Sequence, residues 1–146
     1  MMQRSKMFTA LPLLLLLPQL LGCDKEDIEM VVVEVGCEAF GSASPSTIAR
    51  SVSVAQEGTE VVVRLCSNPS TGFQWEEAEI VPPSVLRETA REFIPSTVAM
   101  PGSAGVEQWT FEPRKTGTCT ISMSYSRPWE GGEKDVWRFD LEVTVE

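Results

Sequence analysis

The sequence predicts an all-β fold of two sheets packed face to face, and three observations predict it. Short runs of β-branched and aromatic residues alternate with polar ones at period two. Gly, Pro, Ser and Asn punctuate these runs at short intervals. Beyond the N-terminal leader, no long amphipathic helical pattern appears. One apolar face per strand suits sheets that bury that face against each other.

The elements follow in order. Ile28 to Val35 is a Val-rich first run, and Gly41 to Thr47 reads as a loop. Val52 and Val54 alternate with Ser51 and Ser53, and Glu57-Gly58 makes a turn. Val61, Val63 and Leu65 keep the same period, and Phe73 and Trp75 resume it after a Pro/Gly loop. Val81-Pro82-Pro83 precedes a weaker run, Arg87 to Ile94, and Pro95 to Gly105 is a second long loop. Trp109 and Phe111 alternate, as do Ile121, Met123 and Tyr125. The last run is the clearest. Trp137, Phe139, Leu141, Val143 and Val145 lie on one face, with Arg138, Asp140, Glu142 and Thr144 on the other. The expectation is about seven to eight strands, a sandwich or barrel.

The N-terminus is a targeting segment. Arg4 and Lys6 precede an apolar run from Phe8 to Leu21, which Pro12 and Pro18 interrupt. Fourteen residues are too few to span a bilayer comfortably. The run ends in Leu20-Leu21-Gly22-Cys23, which looks like a bacterial lipobox. Residues 1–22 are thus expected to be a lipoprotein signal peptide, and Cys23 the lipidated first residue of the mature chain. Two or three acyl chains, at about 0.8 kcal/mol per buried CH2, anchor a protein stably. The expected organisation is 23–47 as an N-terminal anchor and extra strand, and 48–146 as the main domain. The expected location is exported, on the cell membrane, facing the periplasm or exterior.

Removing Arg4 and Lys6 leaves 10 basic residues against 21 acidic, a net charge of −11. That argues against nucleic acid and against electrostatic attachment to anionic lipid. The chain has no histidine. His-based acid–base chemistry, Ser-His and Cys-His nucleophilic pairs and His-ligated metals are therefore excluded. The acidic residues are scattered along strand-like segments. The chain reads as a non-enzyme with no catalytic residue, no metal and no cofactor, and nothing in it demands more than a monomer.

With Cys23 assigned to lipid, Cys37, Cys66 and Cys119 remain. Cys119 shares a face with Ile121, Met123 and Tyr125, so it points into the core. Cys66 is out of phase with Val61, Val63 and Leu65, so it points away. The expected disulfide in an oxidising compartment is Cys37–Cys66, with Cys119 a buried free thiol.

Three loops stand out. The first is Ser67-Asn68-Pro69-Ser70-Thr71-Gly72-Phe73-Gln74-Trp75, in which Asn and Pro fix a turn and Gly72 permits a positive φ. Pro69 in the middle position disqualifies Asn68 as a glycosylation acceptor. The second is Pro101-Gly102-Ser103-Ala104-Gly105, small and unable to pack by itself. The third is Ser126-Arg127-Pro128-Trp129-Glu130-Gly131-Gly132, where a Trp sits in a polar, Gly-rich turn. Trp and Arg dominate binding hot spots.

Taken in this order the three loops resemble the chagasin-like family of cysteine protease inhibitors. The resemblance covers roughly Ser51 to Val145. Ala104 stands where the family usually has glycine, and Ser70 where it usually has threonine. The resemblance implies an immunoglobulin-like sandwich with the three loops at one end, forming a wedge that reversibly fills the groove of a papain-like cysteine protease. By matching position, Asn68, Pro69, Ser70, Thr71, Gly72 and Phe73 block the catalytic centre. Gly102, Ser103, Ala104 and Gly105 touch the non-primed side, and Arg127, Pro128 and Trp129 anchor the wedge. Trp75 is core support beneath the first loop. A competing reading is a non-inhibitory immunoglobulin-like surface module that binds carbohydrate or protein, with Trp129 as a sugar-stacking platform.

Overall fold

The computed structural model describes residues 27–98 and 100–146. The expected signal peptide, and Cys23 with it, lie outside the described residues. Nine strands run in chain order: β1 Glu29–Val35, β2 Ser46–Val54, β3 Thr59–Ser67, β4 Gln74–Trp75, β5 Glu79–Val81, β6 Leu86–Ile94, β7 Gly105–Pro113, β8 Gly117–Ser126 and β9 Trp137–Val145. A four-residue helix, α1 Cys37–Phe40, and a 3-10 turn, Pro69–Thr71, are the only helical segments among the described residues. The strand beyond the expected eight is β5, three residues that pair with β8 just before the Pro82-Pro83 break.

The strands form two sheets. One has the order β1-β3-β7-β6; the other has β2-β9-β8-β4, with β5 also on β8. Most pairings are antiparallel, but two are parallel. β1 lies beside β3, from Glu29 opposite Thr59 to Val35 opposite Leu65. β2 lies beside β9, from Ser46 opposite Trp137 to Val54 opposite Val145. A parallel pair needs a crossover. Here residues 36–45 provide it, carrying the chain from the first sheet to the second. β2 starts at Ser46, so the expected boundary after residue 47 falls inside a strand.

The core lies between the sheets and is built from the alternating positions read in the sequence. Trp109, Phe111, Ile121, Phe139, Leu141 and Val143 are fully buried. Each buried side chain of this size contributes about 1.5–3 kcal/mol relative to an exposed one. Cys119 is a buried free thiol among them, and burial raises its pKa. That environment disfavours the thiolate, which is the reactive form. A disulfide joins Cys37 to Cys66.

Candidate functional site

Strand direction gathers the loops. β3 ends at Ser67, which pairs with Gly105 at the start of β7. β8 ends at Ser126, which pairs with Gln74, and β9 begins opposite Tyr125. The connections 68–73, 95–104 and 127–136 therefore emerge at the same pole of the sandwich. The base pole carries the Glu57-Gly58 turn and the turn after Pro113.

The first loop is a tight, internally bonded turn. The Thr71 N–H donates to Asn68 O at 3.1 Å, and the Gly72 N–H to Pro69 O at 3.0 Å. The Thr71 hydroxyl donates to Asn68 O at 2.7 Å, and the Ser70 hydroxyl to Asn68 Oδ1 at 2.6 Å. Ser70 keeps this bond without the threonine methyl. Gly72 closes the turn at φ 81°. A Cβ there would sit 2.7 Å from the Trp129 ring. Glycine is thus required twice, by the backbone and by the indole that lies against it.

The other two loops dock on the first. Asn68 Nδ2 donates to Gly102 O at 2.9 Å and ties the second loop to it. There Pro101-Gly102 forms a β-turn, with the Ser103 N–H donating to Met100 O and Gly102 at φ 81°. On the opposite flank, the Arg127 guanidinium lies 4.4 Å from the Phe73 ring centroid and 5.8 Å from that of Trp129. Such a stack is worth about 0.5–1 kcal/mol at an exposed site. Arg127 also pairs with Glu133 at 3.0 Å, and Lys134 Nζ donates to Arg127 O at 2.6 Å. Trp129 itself is 51% exposed at the tip. The row is second loop, first loop, third loop, with the first in the middle.

Beneath the row lies a column of rings. Phe73 stacks on Tyr125, Tyr125 on Trp137 and Trp137 on Phe40, with centroids 5.6, 4.8 and 4.8 Å apart. The Tyr125 hydroxyl accepts a hydrogen bond from the Asn68 N–H at 2.8 Å. Trp75 is buried below, its indole N–H donating to Cys66 O at 2.9 Å. Arg91 fixes the same layer, bonding Glu107 and Trp75 O at 2.6 Å each. These groups hold the loops in place, and they offer no nucleophile paired with a base. Among the described residues no cluster of His, Cys, Asp or Glu could hold a metal ion.

Of the residues expected at the site, Asn68 to Phe73, Gly102 to Ala104 and Arg127 to Trp129 lie in this row. Gly105 does not. It is buried as the first residue of β7, where a Cβ would meet Ile94 O and the Phe93 ring. Its glycine answers a packing demand at the root of the second loop. Sequence reasoning missed Tyr125, Trp137 and Phe40 as supports. At alternating strand positions the first two read only as core, and Phe40 sits in a short stretch with no period.

Comparison with known proteins bears on the family and the fold. Residues 54–143 match the family Chagasin family peptidase inhibitor I42. The chain is 29% identical over 85 residues to Amoebiasin-2 of Entamoeba histolytica, covering 58% of this chain and 69% of that protein. Among solved structures, the cysteine protease inhibitor EhICP2 of Entamoeba histolytica superposes with a TM-score of 0.61 at 23% identity, over 80% of this chain and 97% of that one. PbICP-C, solved in complex with falcipain-2, superposes with a TM-score of 0.51 at 15% identity, over 81% and 99%.

Proposed function

This chain belongs to the chagasin family of peptidase inhibitors, and from that premise we propose that it blocks papain-like cysteine proteases by filling their active-site groove with its three-loop row. The observation that carries this is the cross-bracing at one pole. Asn68 bonds the second loop, and Gly72 and Phe73 seat Trp129 and Arg127 of the third. A preformed wedge loses little conformational entropy on binding. The first loop, stiffened by Pro69 and the bonds to Asn68 O, is held in a closed turn. A turned backbone does not present an extended scissile carbonyl in attack geometry, so it occludes without being cleaved. Arg127 and the half-exposed Trp129 supply the anchoring area. Inhibition is reversible, non-covalent and carried by a single chain.

The test is titration of papain with the purified Cys23→Ser protein, under reductant sufficient to keep papain active. Competitive inhibition at nanomolar to low-micromolar concentration is expected. A folded sample that leaves papain and a cathepsin L-like enzyme untouched overturns the reading and favours a surface-binding module.

We further propose that the protein is exported and held on a membrane by acyl chains on Cys23. The support is the basic start, the short apolar run and Leu20-Leu21-Gly22-Cys23. Incorporation of labelled fatty acid that disappears in Cys23→Ser is the expected result; label retained in that variant sinks the assignment.

A further inference from the structure

The crossover 36–45 reaches the same pole as the three loops. It leaves β1 at Val35, opposite Leu65, and enters β2 at Ser46, opposite Trp137. Leu65 lies two residues before the first loop leaves β3, and Trp137 follows directly on the third loop. The segment lies outside the stretch 54–143 matched by the family.

Two independent anchors hold it. The Cys37–Cys66 disulfide ties its start to the strand residue just before Ser67. Phe40 is buried and stacks on Trp137 at an interplanar angle of 16°, closing the ring column that begins at Phe73. Between Phe40 and β2 the chain is exposed from Gly41 to Pro45. Ser42, Ala43 and Ser44 form one bank of a groove of about 470 Å³, and Asn68, Thr71 and Ala104 line it from the first two loops.

We propose that residues 41–45 are a fourth contact element of the inhibitory face. Resting on the inhibitor reading above, they touch the protease body beside its cleft, and the groove receives a side chain from that rim. The occupant follows from continuity. The groove shares Asn68, Thr71 and Ala104 with the loop row, so a protease seated on the row covers its mouth. The exposed bank carries no charge and only small side chains, which lets a partner surface approach closely. Its fixed ends mean that little freedom is lost on contact.

The experiment compares wild type, Ala43→Arg, Ser42→Trp and Trp129→Ala as papain inhibitors. Each is the full-length chain purified in detergent. Amide hydrogen exchange of residues 41–44 is followed with and without papain. Both exposed-bank variants are expected to fold as wild type and to weaken inhibition about tenfold or more, as a bulky group does inside a close-packed interface. The 41–44 amides are expected to slow in the complex. If wild type inhibits and Trp129→Ala weakens it, inhibition within about twofold of wild type in both bank variants, with unchanged exchange, overturns the fourth element alone. If wild type does not inhibit, the inhibitor reading fails and this proposal fails with it.

Discussion

The first and second loops share a pole and differ in how they are held. The first is a 3-10 turn bonded within itself, braced from below by the Tyr125 hydroxyl and rooted one residue from a disulfide. The second spans residues 95–104, and a side-chain bond from Asn68 to Gly102 O joins it to the first. It leaves Val98 and Met100 59% and 66% exposed. The contrast suggests a division of labour. Under the inhibitory reading proposed above, the rigid centre would set where the wedge sits and the looser flank would adapt to the protease surface it meets.

The contrast can be broken or sharpened by substitution, from the largest effect down. Replacing both Cys37 and Cys66 by Ser removes the staple at the root of the first loop. With a sequence separation of 29, the chain-entropy model gives a loss of about 3–4 kcal/mol. Urea midpoints compared with wild type measure it; equal midpoints would mean the ring column alone holds the crossover. Trp129→Ala takes away the exposed anchor that rests on Gly72 and should weaken papain inhibition by about 2 kcal/mol or more with little change in stability. Unchanged affinity would remove Trp129 from the contact surface. Asn68→Ala cuts the link between rigid and loose loops and should cost about 1 kcal/mol in the inhibition constant. Faster amide exchange is expected around Ser103 in that variant. Val98→Ser should shift thermal stability by no more than about 0.5 kcal/mol. A larger loss would show that the second loop is packed after all.

Much of this arrangement is legible without a structure, and the reasons differ by residue. β9 declares itself because five apolar side chains alternate over nine positions, which only a half-buried strand requires. Side-chain parity on β3 and β8 is enough to separate Cys66 from Cys119. β5 escapes notice because three residues before a proline pair show no period. α1 escapes because one helical turn has no apolar stripe of its own; Phe40 is buried by its stack on Trp137, a contact with a strand distant in sequence. The loop residues are visible as motifs, but their bracing is not. That Tyr125 lies under Asn68 depends on the pairing of β4 with β8. Gly105 shows the converse. A glycine next to a flexible-looking loop reads as loop, whereas here it makes room for Phe93.

The parallel pairing of β1 with β3 fixes which way the molecule faces. Glu29, where the described sheet begins, lies at the pole opposite the wedge. The nine residues of β3 span about 30 Å. Under the anchoring proposed above, the tether enters from beneath and the wedge points away from the lipid, at least the length of β3 from the start of the described sheet. An inhibitor mounted in this way would stand as a sentry over the space its wedge faces, and proteases diffusing through that space would meet it before those embedded alongside.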